Sequence, residues 1–294
     1  MQIGAVYPQA EIGNDPAFIR DFAQAVEGAG FTYITAFDHV LGADASRFDG
    51  PIGGFPSAPY LAEHPFHEVL TLFAFLAGVT DRIWFRPRLL LLPQRQTPLV
   101  AKQAATVSRL SGGRLKLAVG VGWNPAEYEG MGVDFHTRGD RLDEQLELLR
   151  RLWAEPLVNF DGAWHHLDRV GINPLPEGGG IELWIGSGPR ERSLRRVAQW
   201  ADGWIALLTP EEDLGESIGR LRELVAAEGH DAAAFPIETL MGVGDGGPDE
   251  WAEQVEQVAA LGVTQVCLAS GRGRGRTPAD HLQRLLDAGK ALIG

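Results

Sequence analysis

Residues 83–122 read IWFRPRLLLLPQRQTPLVAKQAATVSRLSGGRLKLAVGVG. The first ten residues form an apolar run, interrupted only by Arg86, Pro87 and Arg88, and predict a strand over 83–92. Apolar residues then recur at helical spacing over 99–110, and Ser111-Gly112-Gly113 stops them. A second apolar run follows at 115–121. Strand, helix, strand within forty residues is a βαβ unit, and its two strands must run parallel.

The same alternation continues in both directions. Strands are expected at 3–7, 31–37, 181–185, 204–208, 236–243 and 263–269. Helices are expected at 16–29, 67–77, 141–153, 191–200, 211–227, 249–261 and 278–292. Long loops run over 42–65 and 122–139, and residues 157–168 alternate about Asp161-Gly162 as an excursion hairpin. Eight β-then-α units in 294 residues predict an α/β fold of the (β/α)₈ TIM-barrel type, a single domain over 1–294. The rival is an open doubly wound sheet. That fold's dinucleotide turn is absent after the first strand, where Pro8-Gln9-Ala10 stands.

Composition narrows the function. Hydrophobic residues are 45% and charged residues 22%, enough for a large core. The net charge of −13 disfavours nucleic acid and anionic membrane as partners. The one cysteine, Cys267, sits in an apolar run and reads as a buried structural thiol. No signal peptide or membrane-length apolar run is visible, so a cytoplasmic location is expected.

Barrel active sites lie at the C-terminal ends of the strands. The second strand ends in Asp38-His39, able to bond a ligand's polar edge and move a proton, or simply to cap the loop. The third ends in Leu89-Leu90-Leu91-Leu92, either an apolar wall for a planar ring or barrel filling. Arg86, Arg88 and Arg95 beside it need ligand anions or protein carboxylates. The fourth runs through Gly120 and Gly122, where a ligand can approach backbone, to Trp123, which could stack on a ring. Glu127, Tyr128 and His136 follow as pocket-lining candidates or ordinary loop residues. The fifth ends in Gly186-Ser187-Gly188-Pro189-Arg190 at a helix start, an anion site on physical grounds.

Other chemistries lack their residues. Strand ends offer no clustered metal ligands, and His64 and His67 stand as an isolated pair. His165-His166 falls in the hairpin and is expected to face solvent. Lys116, at the start of the fourth strand, is at the wrong end for a Schiff base.

Residues 89–132, LLLLPQRQTPLVAKQAATVSRLSGGRLKLAVGVGWNPAEYEGMG, closely resemble the luciferase-like oxidoreductases, especially their F420-dependent branch. AFDHV at 36–40, DFHTRGDRLDEQLELLRRLW at 134–153 and IGSGPRERSLRRVAQWADGWI at 185–205 extend the resemblance along nearly the whole chain. It implies a (β/α)₈ barrel with a deazaflavin or flavin ring across its mouth. Asp38 and His39 would meet that ring, His39 moving the proton, with Leu89, Leu90, Gly120, Gly122 and Trp123 around it and Gly186, Ser187 and Gly188 on the phosphate. A non-prolyl cis peptide near Leu89-Leu90 is also implied. The activity implied is hydride transfer between coenzyme F420 and a small organic substrate, by a homodimer. The alternatives are an FMN-dependent monooxygenase fed by a separate reductase, a non-catalytic flavin-binding protein on the same barrel, or a metal hydrolase. In the F420-dependent sugar-phosphate dehydrogenases a glutamate stands near the position of Trp123 and a lysine near that of Pro210, which disfavours that substrate here.

Overall fold

The computed structural model describes all residues except 49, 51, 53–57, 245 and 272–275. Parallel strands form a ring. In chain order they are β1 (Gln2–Val6), β2 (Tyr33–Ala36), β3 (Trp84–Pro87), β4 (Leu90–Leu91) and β5 (Leu117–Gly120), then, after the hairpin β6 (Val158–Asp161) and β7 (His166–Val170), β8 (Leu183–Ser187), β9 (Gly203–Ala206), β10 (Ile237–Gly242) and β11 (Gln265–Ala269). The sheet order is β3-β2-β1-β11-β10-β9-β8-β5-β4. The ring closes where Leu90 pairs with Val119 and where the Phe85 N–H donates to the Arg114 carbonyl at 2.8 Å. The expected third strand is therefore two pieces, β3 and β4, separated at Arg88 and Leu89, whose peptide is cis. β3 pairs with β2, and among the described residues β4 pairs only with β5.

The helices are α1 (Gln9–Ile12), α2 (Pro16–Gly28), α3 (Val69–Ala77), α4 (Thr97–Leu110), α5 (Pro125–Gly130), α6 (Arg138–Ala154), α7 (Glu191–Trp200), α8 (Leu214–Ala227), α9 (Pro248–Ala260) and α10 (Pro278–Leu292). One of them is an addition and one corrects an expected loop. Short α1 follows β1, and α5 lies inside 122–139. Its start is set locally: Asn124 accepts from the Ala126 N–H at 3.0 Å, and Pro125 occupies the first turn, where no N–H is needed.

Strand residues alternate between two cores. Ile3, Ala5, Ile34, Phe85 and Leu117 face outward into a continuous apolar layer under the helices. The inward set is different in kind. Tyr33, Trp84, Arg86, Trp184, Glu238 and Cys267 fill the barrel, with Arg86 above the Trp184 ring at 4.0 Å. Arg86 and Arg88 both pair with Glu238, and the Tyr33 hydroxyl donates to the same carboxylate at 2.5 Å. Of the two alternatives for these arginines, the structure shows a shared protein carboxylate. Cys267 is buried as expected, and burial pushes its thiol up to about 11. Lys116, low in the barrel, pairs with Glu182 at 2.8 Å.

The hairpin expectation holds, with one correction. His166 is exposed, but His165 is buried. Its Nδ1 meets Glu144 and its Nε2 meets Thr97, each at 2.7 Å. Glu144 also accepts the N–H groups of Ala163, Trp164 and His165, so α6 holds the hairpin's tip.

Candidate active site

The mouth of the barrel is built by chain that leaves β2, β4, β5, β8 and β9. β2 delivers Phe37, Asp38 and His39. His39 is fixed on two sides. Its ring lies parallel to Tyr60 at 3.6 Å, with the edges of Phe66 and Trp123 at 5.2 and 6.1 Å. Its Nδ1 lies 3.3 Å from the Glu127 carboxylate, while its Nε2 makes no hydrogen bond among the described residues.

Glu127 comes from α5 and is fully buried. One oxygen accepts from the Val40 N–H at 2.6 Å and from Gln94 at 3.3 Å; the other accepts from the Tyr60 hydroxyl at 2.9 Å. Burial alone would raise its carboxyl. The bonds from His39, Val40 and Tyr60 outweigh that and hold it below the ordinary range. Asn124 completes the network by donating to the Tyr60 hydroxyl at 2.7 Å.

Two residues expected at the ring, Asp38 and Leu90, have buried side chains. The Asp38 side chain is fully buried: one oxygen accepts the Leu91 N–H at 3.0 Å, the other meets Arg95 at 2.7 Å. Burial raises this carboxyl, and Arg95 and the Leu91 N–H pull it back. Asp38 therefore braces the end of β4. Leu90 is also fully buried, on the helix-facing side, because strand alternation sends it outward when its neighbour faces inward.

That neighbour is Leu89, which packs toward the axis against Ala118, Trp184 and Ile205. Gly120 and Gly186 make room for it. A Cβ at Gly120 would stand 2.5 Å from its Cδ1, and one at Gly186 would stand 2.3 Å from the same atom. The glycines expected to admit a ligand thus admit Leu89 directly. Gly186→Ala is expected to cost about 1–3 kcal/mol through overpacking. Urea titration should show most of that loss recovered in the Gly186→Ala, Leu89→Ala double variant. Equal stability of wild type and single variant would show that Leu89 is not tightly seated.

Around Leu89 the rim is apolar and open. Phe37, Leu207 and Leu240 expose 36%, 41% and 42% of their surface. Leu207 and Leu240 carry no signal in the sequence, since each reads as one more apolar residue of a strand or its end. Trp123 is half-buried beside Tyr60, at 5.6 Å, and Phe48, at 6.3 Å. Gly122 sits against Leu91 with φ +69°, a left-handed conformation that suits glycine.

Across the mouth, Ser187 and Gly188 lead into α7. The Ser187 carbonyl and hydroxyl both accept from the Trp204 indole N–H at 3.2 Å. Arg190 precedes the helix and offers no side-chain cap, so the first-turn N–H groups are not satisfied by one. Arg190 forms no ion pair among the described residues, whereas Arg192 meets Asp140 and Arg196 meets Asp143. Of the remaining candidates, Tyr128 is buried with its hydroxyl on the Val121 carbonyl at 2.6 Å, and His136 sits in a turn capped by Asp134. His64 accepts the Leu61 N–H at 2.8 Å and closes its own turn.

Comparison with known proteins agrees with this architecture. An uncharacterised protein of Mycobacterium tuberculosis is 34% identical over 218 residues, covering 74% of this chain and 75% of its own. The crystal structure of monooxygenase RslO1 from Streptomyces bottropensis superposes with a TM-score of 0.79 at 16% identity, covering 100% of this chain and 99% of its own. An F420-dependent secondary alcohol dehydrogenase, solved with an F420–acetone adduct, gives a TM-score of 0.75 at 16% identity, covering 99% and 98%. At such identities these two likenesses show the fold. The sequence model of the luciferase-like monooxygenases matches residues 2–245, and the chain belongs to that family.

Proposed function

We propose that this protein is an F420-dependent oxidoreductase that passes a hydride between the deazaflavin and a small, uncharged organic substrate. The observation that carries the reading is His39: an imidazole at the barrel mouth, held by a buried carboxylate, with no hydrogen bond on its second nitrogen among the described residues, next to an open apolar rim.

The residues present fit such a cofactor. Leu89 and the exposed Phe37, Leu207 and Leu240 offer the apolar surface that a planar ring needs. Ser187, Gly188 and the uncapped start of α7 offer N–H groups for a phosphate, and Arg190 is a cation close to them in the chain. When bound, the deazaflavin would supply two-electron hydride transfer. The chain's own part is to exclude water with the apolar rim, to anchor the anionic tail, and to hold or deliver a proton at His39. The aromatic surroundings of His39, namely Tyr60, Phe66 and Trp123, favour an apolar substrate, in line with a chain lacking the glutamate and lysine of the sugar-phosphate enzymes.

FMN is the second reading, with a separate reductase, because the family description and RslO1 point to monooxygenases. A fluorescence titration of the purified protein with F420 and, separately, with FMN decides. Saturable binding of F420 at micromolar concentration or below is the expected result. Preference for FMN overturns the deazaflavin reading, and binding of neither overturns the cofactor reading altogether.

A further inference from the structure

The carboxylate behind His39 has more to do than close a loop. We infer that Glu127 is a positioning residue that fixes His39 as its Nδ1–H tautomer and leaves Nε2 bare at the mouth as the atom that takes and gives the proton. The inference rests on the proposed proton-transfer role of His39, and it specifies which nitrogen acts and why.

The argument is one of donors and acceptors. An ionised carboxylate only accepts hydrogen bonds, so whatever faces it must donate. Oε1 of Glu127 already receives the Val40 N–H at 2.6 Å, the Leu41 N–H at 3.4 Å and the Gln94 amide at 3.3 Å. Oε2 receives the Tyr60 hydroxyl at 2.9 Å and faces His39 Nδ1 at 3.3 Å. With so many donors on a fully buried group, the charged form is the one the site holds. Nδ1 must then carry its hydrogen, and a neutral imidazole with Nδ1–H has an acceptor at Nε2.

The ring cannot readily turn over to exchange the two nitrogens. Tyr60 covers one face at 3.6 Å, with 22° between the planes, and Phe66 meets it edge-on at 5.2 Å. Tyr60 is fixed in turn by Asn124 at 2.7 Å and by Glu127 itself. The three residues that set the ring, Tyr60, Asn124 and Glu127, leave Nε2 without a partner among the described residues. Glu127 also fixes the backbone of the turn at Val40 and Leu41, so one carboxylate sets both where the ring stands and which proton it carries.

A measurement on the cofactor-free protein tests this without relying on activity. Nitrogen NMR of histidine-labelled protein, at a pH where its imidazoles are neutral, should show His39 with a protonated Nδ1 and a bare Nε2. An Nε2–H tautomer in the wild type overturns the inference. Glu127→Gln preserves size and removes the charge; it should give a mixed tautomer and lower kcat by at least ~10-fold, with KM and cofactor Kd within about twofold. A Gln variant with the wild-type nitrogen pattern and wild-type kcat also overturns it. Tyr60→Phe removes one donor to Glu127 but keeps the stacked ring, and should retain the wild-type tautomer. If the tautomer is as inferred but His39→Ala turns over normally, the proton-transfer reading has failed and the tautomer assignment stands.

Discussion

Glu238→Ala is expected to destabilise the protein by about 3–5 kcal/mol, the usual consequence of removing one partner from a buried ion pair. At roughly 2 °C per kcal/mol for a chain of this size, the melting temperature should fall by about 6–10 °C. The reason is local. Glu238 is fully buried between Arg86 and Arg88, and the Tyr33 hydroxyl donates to it at 2.5 Å. Burial already pushes both guanidiniums below their ordinary range, Arg86 to about 10. With Glu238 gone, Arg86 keeps among the described residues Gln265, at 3.1 Å, and the faces of Trp184, Tyr33 and Trp84. A triple variant, Arg86→Met, Arg88→Met, Glu238→Leu, should regain most of the loss, because an apolar interior of similar volume does not need the charges compensated. A Glu238→Ala variant that melts within 2 °C of wild type would mean that water or a rearranged acid reaches these arginines.

This cluster also marks where sequence reading stops. The eight strand–helix repeats were legible because each is local: a run of apolar residues, a helical period, a glycine or capping residue between them. The choice of partner for Arg86 and Arg88 was not, because Glu238 lies about 150 residues along the chain and only ring closure brings it opposite. The break between β3 and β4 was signalled by the family resemblance, which implies a cis peptide nearby, but not by the residues themselves. Four consecutive leucines look the same at period two or with a one-residue shift, so the sequence does not say which leucine turns inward. The structure turns Leu89 to the axis and buries Leu90 under the helices.

The site shows the same division. Strand ends put His39, Gly186 and Ser187 among the candidates because their position in the repeat is itself the signal. Glu127 could be named as a pocket candidate but not given a task, since its partner His39 stands 88 positions away. A signal for α5 was present in Asn124-Pro125, an N-cap followed by proline at the first helical position. Reading it would have put Glu127 on a short helix against the mouth. Asp38 looked like a second chemical group because it is adjacent to His39, but adjacent residues at a strand end point to opposite sides, and its side chain goes to Arg95 and the Leu91 N–H.

His39→Ala is expected to lower kcat by roughly 10²–10⁴-fold, the range general acid–base groups supply, while the cofactor Kd changes only a few-fold. The separation follows from the geometry. The surfaces proposed for the ring and its phosphate, at Leu89, Leu207, Leu240 and the start of α7, belong to other elements and do not depend on the imidazole. His39 touches Tyr60, Phe66, Trp123 and Glu127, so its loss leaves a cavity beside a buried carboxylate. His39→Asn is the useful companion: it can still donate to Glu127, but it has no second nitrogen to carry a proton. If Asn restores stability and cofactor binding but not turnover, the lost function is proton transfer. If Ala turns over substrate at the wild-type rate, His39 is a packing residue and the acid–base group must be sought elsewhere on the rim. If cofactor binding falls together with kcat, His39 holds the ring and does not serve chemistry alone. Steady-state kinetics with the cofactor identified by titration, run beside a fluorescence measurement of its Kd for each variant, separates the three.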